Sequence, residues 1–155
     1  MNSVYDEMFI CSTDTVVGLG GPVRDDILEQ IYRLKQRKTD KKVVILIGNI
    51  EQVRKFKQWN KQADNIAKQK WPGATTIIVN NQGFRIPNNN QLINFLIKNG
   101  PMYVSSANIS GYKPINIKDA QKVFPMIKNV YDFGVGSGKP STIINLDTKQ
   151  IIERN

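Results

Sequence analysis

Short apolar runs, mostly of β-branched residues, recur along the chain and alternate with stretches of helical spacing. Buried strands are predicted where such residues follow one another, at 9–12, 43–47, 75–79, 102–105, 130–133 and 142–146. Helices are predicted where apolar residues share one helical face, at 25–38, 53–59, 63–70, 91–98 and 118–124. The alternation predicts an α/β fold with one twisted, mixed open sheet flanked by helices, and the close pair 75–79 and 83–86 predicts a hairpin.

Length and composition indicate a single domain. The chain has 155 residues, of which 40% are hydrophobic, so we expect one core spanning 1–155 and no additional C-terminal domain. No stretch approaches the ~20 apolar residues of a membrane span, and the polar first residues do not resemble a signal peptide. We therefore expect a cytoplasmic protein that does not contact a membrane. The single cysteine, Cys11, lies in an apolar run and is predicted to be a buried core residue.

The chain contains no histidine, and this excludes several kinds of active site. A Ser-His-Asp triad, the usual neutral-pH general base and most transition-metal sites all need an imidazole. Any catalysis must therefore use other means, and Lys, Arg, Ser, Thr and Asn side chains can still position an anionic substrate and stabilise charge that develops on it.

The formal net charge of +9 indicates affinity for polyanions such as nucleotides or RNA. Lys, Asn and Ile are abundant throughout the chain, however, so compositional bias explains the charge equally well. Both interpretations stay open at this point.

Six segments carry small polar or charged residues at predicted strand ends or helix ends. They are 12–21, 35–37, 71–76, 83–87, 105–111 and 136–142. The loop 105–111 reads SSANISG, and its small side chains are expected to leave backbone N–H groups open to a phosphate or carboxylate. The segment 12–21 is either a substrate loop or a glycine-rich turn capped by Asp14 and Thr15.

Two of these segments carry cations whose role the pattern leaves open. Lys35 and Arg37 could grip a polyphosphate if the helix has ended there, or they could simply complement the dipole of the helix end. Arg85 lies in an otherwise apolar strand, where it needs either a structural ion pair or an anionic ligand. Each segment alone is weak evidence, but six in one short chain indicate a shared ligand site.

Taken in order, the segments resemble the motifs of the YrdC-like threonylcarbamoyl-AMP synthase family. Residues 12–19 are similar to its P-T-(D/E)-T-V-Y-G-L motif, 106–111 match S-A-N-x-S-G at every fixed position, and 152–154 resemble its terminal element. The shorter motifs K-x-R, P-G-x-x-T, R-x-P and S-T-(V/I) are matched at 35–37, 72–76, 85–87 and 141–143. The resemblance covers nearly the whole chain.

The resemblance implies a nucleotidyltransferase that makes threonylcarbamoyl-AMP and pyrophosphate from L-threonine, bicarbonate and ATP. That reaction is the first step towards threonylcarbamoyladenosine in tRNA, and the implied partners are the proteins that transfer the threonylcarbamoyl group to tRNA. Mg²⁺ is expected to arrive on the ATP phosphates, since Mg²⁺ rarely needs a full protein cage. In-line phosphoryl chemistry depends on alignment and charge neutralisation, so it does not require a histidine.

The resemblance also implies roles for individual residues. Lys35 and Arg37 would stabilise charge in the transition state, and no residue is assigned as acid or base. The implied ATP-binding residues are Lys35, Arg37, Thr76, Ser106, Asn108, Ser110 and Arg154. The implied threonine-binding residues are Thr15, Arg85 and Ser141, with Arg85 pairing with the amino-acid carboxylate.

The chain departs from the family pattern at three positions. Leu46 occupies the place of a family histidine in the amino-acid pocket, while Ser12 and Lys42 stand where the family has proline. A second hypothesis is therefore an RNA-binding module with a basic concave face and lost catalysis, which would bind RNA in a salt-dependent way and ignore threonine. A carbamoyl-transfer domain of the hydrogenase-maturation type is a weaker alternative, because those domains occur in much larger chains with zinc-finger cysteines.

Overall fold

The computed structural model describes residues 3–39, 42–113 and 115–153. Its strands, in chain order, are β1 (Phe9–Cys11), β2 (Gly18–Pro22), β3 (Val44–Leu46), β4 (Thr75–Val79), β5 (Gln82–Arg85), β6 (Met102–Ser106), β7 (Asn129–Tyr131), β8 (Thr142–Asn145) and β9 (Gln150–Ile152). Its α-helices are α1 (Asp25–Lys35), α2 (Ile50–Arg54), α3 (Lys61–Lys70), α4 (Asn90–Asn99) and α5 (Ile117–Val123). A short 3₁₀ helix, Val4–Glu7, precedes β1.

All nine strands of the described chain form one mixed sheet in the order β7-β1-β2-β6-β3-β5-β4-β8-β9. Three pairs are parallel, namely β1 with β7, β3 with β5 and β4 with β8. The remaining neighbours are antiparallel, including the β4–β5 hairpin. The predicted α/β fold with a mixed open sheet is therefore confirmed.

The two faces of the sheet are covered differently. On one face, α1 and α5 pack over β1 and β2, while α2 and α3 pack over β3, β4 and β5. On the opposite face, α4 buries Leu92 and Leu96 against Phe9, Leu46 and Met102. A single described helix covers this second face, which leaves room beside α4 for a cleft.

Strand β2 was not predicted, because it contains three glycines and no β-branched residue. Its glycines allow close approach of the neighbouring chain: a Cβ on Gly20 would lie 2.1 Å from the Tyr103 carbonyl oxygen. Strand β9 was also missed, since its three residues form an exposed edge paired with β8. Both strands form through pairing with a partner strand, which periodicity does not report.

Two predicted helices have the wrong bounds. The helix predicted at 53–59 is α2 and lies earlier, because the Asn49 side chain accepts a hydrogen bond from the Gln52 N–H and so begins the helix. Trp59 lies outside it, with its indole N–H donated to Asp64 on α3. The first helix ends at Lys35 rather than at 38, because Gln36 adopts a left-handed conformation with φ of 53°.

Two other sequence-based expectations concern the core and membranes. Cys11 is fully buried, as predicted, and burial raises the pKa of its thiol to about 12. Across the described residues, none of the helices has the length and apolar character needed to cross a bilayer.

Phe84 provides a test of the packing under α2 and α3. It is fully buried on β5, with its ring centroid 5.2 Å from that of Phe56 and 5.6 Å from that of Trp59. We expect Phe84→Ala to lower the free energy of unfolding by about 3 to 5 kcal/mol, because it leaves a cavity among these rings. Urea denaturation measures the change. The control is Val135→Ala, at a fully exposed valine, which should change the free energy by less than about 0.5 kcal/mol.

Candidate functional site

A cavity of about 310 Å³ opens on the sheet face that α4 leaves uncovered. It is lined by Thr13, Thr15, Val16, Gly18, Arg37, Lys42, Val43, Val44, Leu46, Thr76, Arg85, Val104, Ser105, Ser106, Asn108, Tyr112, Pro140 and Ser141. None of these described lining residues is a carboxylate, whereas three are cations. The lining therefore favours an anionic ligand.

Two glycines allow close packing of the strands beneath the cavity. Gly18 lines the cavity, and a Cβ there would lie 2.4 Å from Cγ1 of Val104; Gly83 is outside the lining, and a Cβ there would lie 3.2 Å from Cγ2 of the lining residue Thr76. Both positions therefore bring neighbouring side chains together where a larger residue would push them apart. The space above the central strands stays open to a ligand.

The first end of the cavity is built around the end of α1. Lys35 is the last helical residue, and its ammonium donates to Ser105 Oγ at 2.6 Å and to Ser106 Oγ at 3.1 Å. The side chain is 1% exposed and forms no salt bridge within the described chain. Burial, together with the nearby charge of Arg37, lowers the pKa of Lys35 to about 7. An anion placed here would restore the charge of the ammonium.

Arg37 follows the left-handed residue and turns back along the helix. Its backbone N–H donates to the Tyr32 carbonyl, and its Nη2 donates to the Lys42 carbonyl at 2.7 Å. Both Arg37 and Lys42 line the cavity. Helix α1 has thus ended between Lys35 and Arg37. This meets the condition for the two cations to act together.

The loop at 105–111 contributes side chains rather than backbone amides. Three of its N–H groups are donated to protein carbonyls: that of Ala107 to Val17, that of Asn108 to Ser106, and that of Ser110 to Lys35. For these three amides the expectation that they wait for an anion was wrong, because they bind the residue before β2, the loop itself and the end of α1.

Two side-chain oxygens of the same loop are left for a ligand. The Asn108 carboxamide donates from Nδ2 to the Tyr112 carbonyl, which fixes its orientation. Its Oδ1 atom and Ser110 Oγ are buried and have no hydrogen-bond partner among the described residues. Buried polar atoms of this kind are rare unless a ligand or water completes them.

The second end of the cavity is built around Arg85. Its Nη1 donates to both carboxylate oxygens of Asp14, at 2.7 and 2.9 Å, and to the Gly73 carbonyl at 3.0 Å. Its Nη2 donates to Thr15 Oγ1 at 3.1 Å. The side chains of Arg85 and Asp14 are 5% and 11% exposed, so this is a buried ion pair. The sequence allowed either a structural ion pair or an anionic ligand for Arg85, and the structural ion pair is present.

The segment 134–141 forms the outer wall of this end. The Ser137 N–H donates to the Asp14 carbonyl and the Gly138 N–H to the Thr15 carbonyl. At the cavity side, the hydroxyls of Ser141 and Thr76 lie 2.7 Å apart. Of the two interpretations of segment 12–21, the turn capped by Asp14 and Thr15 is not observed: Thr13 Oγ1 instead accepts from the Thr15 N–H and donates to the Val16 carbonyl. Asp14 is thereby left for Arg85.

The structure brings most of the predicted site residues together. Those that line the cavity are Arg37, Thr76, Ser106, Asn108, Thr15, Arg85 and Ser141. Lys35 lies behind Ser105 and Ser106, and Ser110, whose N–H donates to the Lys35 carbonyl, is likewise not part of the lining. Arg154 falls outside the described residues. The proximity is observed, whereas the role of each residue stays a prediction.

Sequence reasoning missed several residues of the site. Asp14 was noticed only as part of a turn, although a charge on an apolar strand requires a partner, and that requirement could have led to it. Ser105 belongs to the predicted ligand loop 105–111 but was given no role of its own, and Tyr112 was not singled out. Leu46 is 2% exposed, lines the cavity, and is the register partner of Arg85 on the adjacent strand, as its place in the motif implied.

Fold and cavity together define an α/β domain with a cationic cleft over the open face of a mixed sheet. A family model named for Sua5, YciO and YrdC and described as telomere recombination matches residues 5–155. The chain belongs to this Sua5/YciO/YrdC family.

Relatives of known sequence support the same assignment. An uncharacterised protein of Mycoplasma pneumoniae is 34% identical over 92% of this chain, and a protein of Methanocaldococcus jannaschii named putative threonylcarbamoyl-AMP synthase is 28% identical over 94%. The matches cover 31% and 77% of those two proteins. The chain thus spans about a third of the length of the mycoplasma relative.

Solved structures agree with the fold. The crystal structure of Pyrococcus abyssi Sua5 in complex with L-threonine superposes with a TM-score of 0.82 at 25% identity, covering 94% of this chain and 48% of that one. Escherichia coli YciO gives a TM-score of 0.82 at 18% identity, covering 96% of this chain and 83% of that one.

The burial of Lys35 makes stability depend on pH in a predictable direction. Above pH 7 the folded lysine is largely neutral, while the unfolded lysine keeps its proton until about pH 10.5. The unfolded state therefore binds more protons, and raising the pH from 7 towards 10.5 stabilises the fold. We expect Lys35→Met to be more stable than the wild type at pH 7, with a difference that shrinks as the pH rises.

Urea unfolding between pH 6 and pH 10 measures this difference. The matched control is Lys70→Met, at an exposed lysine on α3, which should show no such pH-dependent difference. A constant gap between Lys35→Met and wild type over the whole range would contradict the shifted pKa.

Proposed function

We propose that the protein is a threonylcarbamoyl-AMP synthase, a nucleotidyltransferase that uses ATP, L-threonine and bicarbonate. The observation that carries the proposal is the two-ended cavity. One end has the cations Lys35, Arg37 and Lys42 beside serine hydroxyls, and the other presents a guanidinium beside three hydroxyl side chains. Relatives named threonylcarbamoyl-AMP synthase and a Sua5 structure with bound L-threonine support it.

The cationic end suits the phosphates of ATP. Lys35 lies behind two serine hydroxyls that cannot neutralise it, so phosphate oxygens beside those serines would supply the balancing charge. Arg37 and Lys42 line the same end and add charge. Transfer of a nucleotidyl group develops negative charge on the leaving pyrophosphate, which Lys35 and Arg37 would stabilise.

The unpartnered oxygens near this end suit the nucleoside. Asn108 Oδ1 accepts hydrogen bonds only, and a ribose hydroxyl or an exocyclic amine can donate one. Ser110 Oγ can do either. Ser106 and Thr76 supply further hydroxyls along the lining, and Arg154 is assigned to the nucleotide by the family motif alone.

The opposite end suits an amino acid. Arg85 keeps N–H groups for a carboxylate, and the hydroxyls of Thr15 and Ser141 lie within the same lining. Charge-assisted hydrogen bonds from a guanidinium are strong and directional, so they would fix the α-carbon relative to the nucleotide.

The chemistry then needs alignment more than acid–base groups. Bicarbonate takes up a proton and loses water to give CO₂, and the threonine ammonium loses one proton to solvent. The resulting amine attacks the carbon of CO₂, and loss of a second N–H proton to solvent gives the carbamate. A carbamate oxygen attacks the α-phosphorus of ATP, the bond to the β-phosphate oxygen breaks, and pyrophosphate leaves. Holding the reactants in line can contribute ~7 to 11 kcal/mol towards lowering the barrier.

Mg²⁺ would enter as part of the substrate MgATP. Within the described residues no three His, Cys, Asp or Glu side chains come together, and the one carboxylate near the cavity is engaged by Arg85. The donor set therefore fits an ion that phosphate oxygens and water would hold, rather than one bound by a cage of carboxylates.

The proposed product is labile, so it must pass to proteins that transfer the threonylcarbamoyl group to tRNA. The net charge of +9 would favour direct contact with tRNA, weakened by added salt.

Mass spectrometry of the nucleotide product tests the proposed function. Purified protein is incubated with MgATP and bicarbonate, together with threonine, serine or no amino acid. We expect threonylcarbamoyl-AMP and pyrophosphate only when threonine and bicarbonate are both present. Arg37→Ala should abolish most of the product, whereas Arg33→Ala, at an exposed arginine on α1, should not.

Absence of product from folded protein at saturating substrates would overturn the proposal. If RNA binding were then salt-dependent, insensitive to threonine and unchanged in Lys35→Ala, the RNA-binding alternative would replace it.

The position of Leu46 leads to a second prediction, which concerns amino-acid selectivity. Its methyl groups face the cavity where the family motif has a histidine, so it offers no hydrogen-bond partner to the threonine hydroxyl. An apolar contact separates threonine from valine only weakly. We expect Leu46→His to raise the threonine-to-valine ratio of kcat/KM by about tenfold.

The measurement is product formation with each amino acid. Leu46→Met, which conserves volume and stays apolar, serves as the control and should keep the wild-type ratio. An unchanged ratio in Leu46→His would show that this position does not contact the amino-acid side chain.

A further inference from the structure

Asp14 joins three loops around the amino-acid end of the cavity. Its carboxylate binds Arg85 and also accepts the Asn88 N–H at 2.9 Å. Its backbone carbonyl accepts the Ser137 N–H at 3.0 Å. The segments that it connects are 12–17, 85–88 and 134–141, and each contributes residues to the lining. Asp14 itself does not line the cavity.

The ion pair leaves a defined edge of Arg85 for a ligand. Nη1 is occupied by the Asp14 carboxylate and the Gly73 carbonyl, and Nη2 gives one hydrogen bond to Thr15. No described residue accepts from Nε or a second time from Nη2. These two nitrogens lie along one edge of the planar guanidinium, where a carboxylate can bind both.

Stability alone does not explain a buried ion pair at this place. Removing two charges from water costs several kcal/mol per ion, and well-packed apolar residues often serve the fold equally well. The other described ion pairs, Arg24 with Glu7 and Asp26 and Arg54 with Asp64, involve arginines that are about half exposed. The buried pair is the one beside the cavity, which indicates a role in the site.

We propose that Asp14 is a positioning residue for the amino-acid substrate. By occupying Nη1 it turns the Nε and Nη2 edge of Arg85 towards the cavity, and by binding Asn88 and Ser137 it holds the surrounding loops to that orientation. This inference rests on the proposed function, since it takes the carboxylate of an amino acid as the ligand of Arg85.

Separate binding measurements for the two substrates test the proposal. Isothermal titration calorimetry gives the Kd of threonine and that of MgATP for wild type, Asp14→Asn, Asp14→Glu and Glu7→Gln. The Glu7→Gln variant removes half of a comparable ion pair with Arg24, whose shortest contact is 2.6 Å, on the surface. Circular dichroism and thermal melting establish that each variant is folded.

We expect Asp14→Asn to raise the Kd of threonine about tenfold or more, because Arg85 loses its charged anchor, while the Kd of MgATP changes less than about twofold. Asp14→Glu keeps the charge and should recover part of the threonine affinity. If Asp14→Asn does not fold, Asp14→Glu carries the same expectation, a weaker threonine affinity at unchanged MgATP affinity, since its carboxylate is displaced by one methylene. The surface variant should match wild type for both ligands.

Equal weakening of both ligands in a folded Asp14 variant would make the residue merely structural, and unchanged threonine affinity would make it dispensable. Either outcome overturns the inference and leaves the proposed function standing. Failure of the wild-type protein to bind threonine would instead overturn both.

Discussion

Positive charge held away from water, with little negative charge to balance it, is the constraint that organises this molecule. Lys35 is buried against two serine hydroxyls, and of the two cations Lys35 and Arg85 it is Arg85 that has a carboxylate partner among the described residues. A fold can afford such groups only where other interactions supply the stability, and here the apolar clusters on both faces of the sheet do so. The open side of the sheet is therefore less optimised for stability than the covered side, as is usual for a binding site.

The two sides of the sheet were unequally predictable from sequence. Apolar periodicity located β4 within its observed bounds and α4 within one residue at each end, because these elements bury a regular face. It missed β2, whose residues are defined by close approach to β6 rather than by apolar side chains. Strand pairing at that point is a property of two segments, and a single segment does not reveal it.

The residues of the candidate site were likewise only partly predictable from sequence. The resemblance to the family motifs selected residues that come together around one cavity. This was possible because the types and the spacing of these residues can be read directly from the sequence. It did not reveal that Lys35 would be covered by Ser105, or that Asp14 would bind Arg85 across 71 positions of chain. These contacts depend on how the end of α1 and the loop after β1 fold over the sheet. Burial and ion pairing are thus the parts of a site that require three-dimensional structure.

The hydrogen bond between the Thr76 and Ser141 hydroxyls would couple the binding of two ligands in the cleft. Each hydroxyl carries one hydrogen, so at 2.7 Å only one of them donates to the other at any moment. A ligand that accepts the Thr76 hydrogen would oblige Ser141 to donate to Thr76, and Ser141 would then offer only lone pairs on its own side. A ligand bound at one end of the cleft would thereby determine whether the hydroxyl at the other end donates or accepts a hydrogen bond. No backbone movement would be needed.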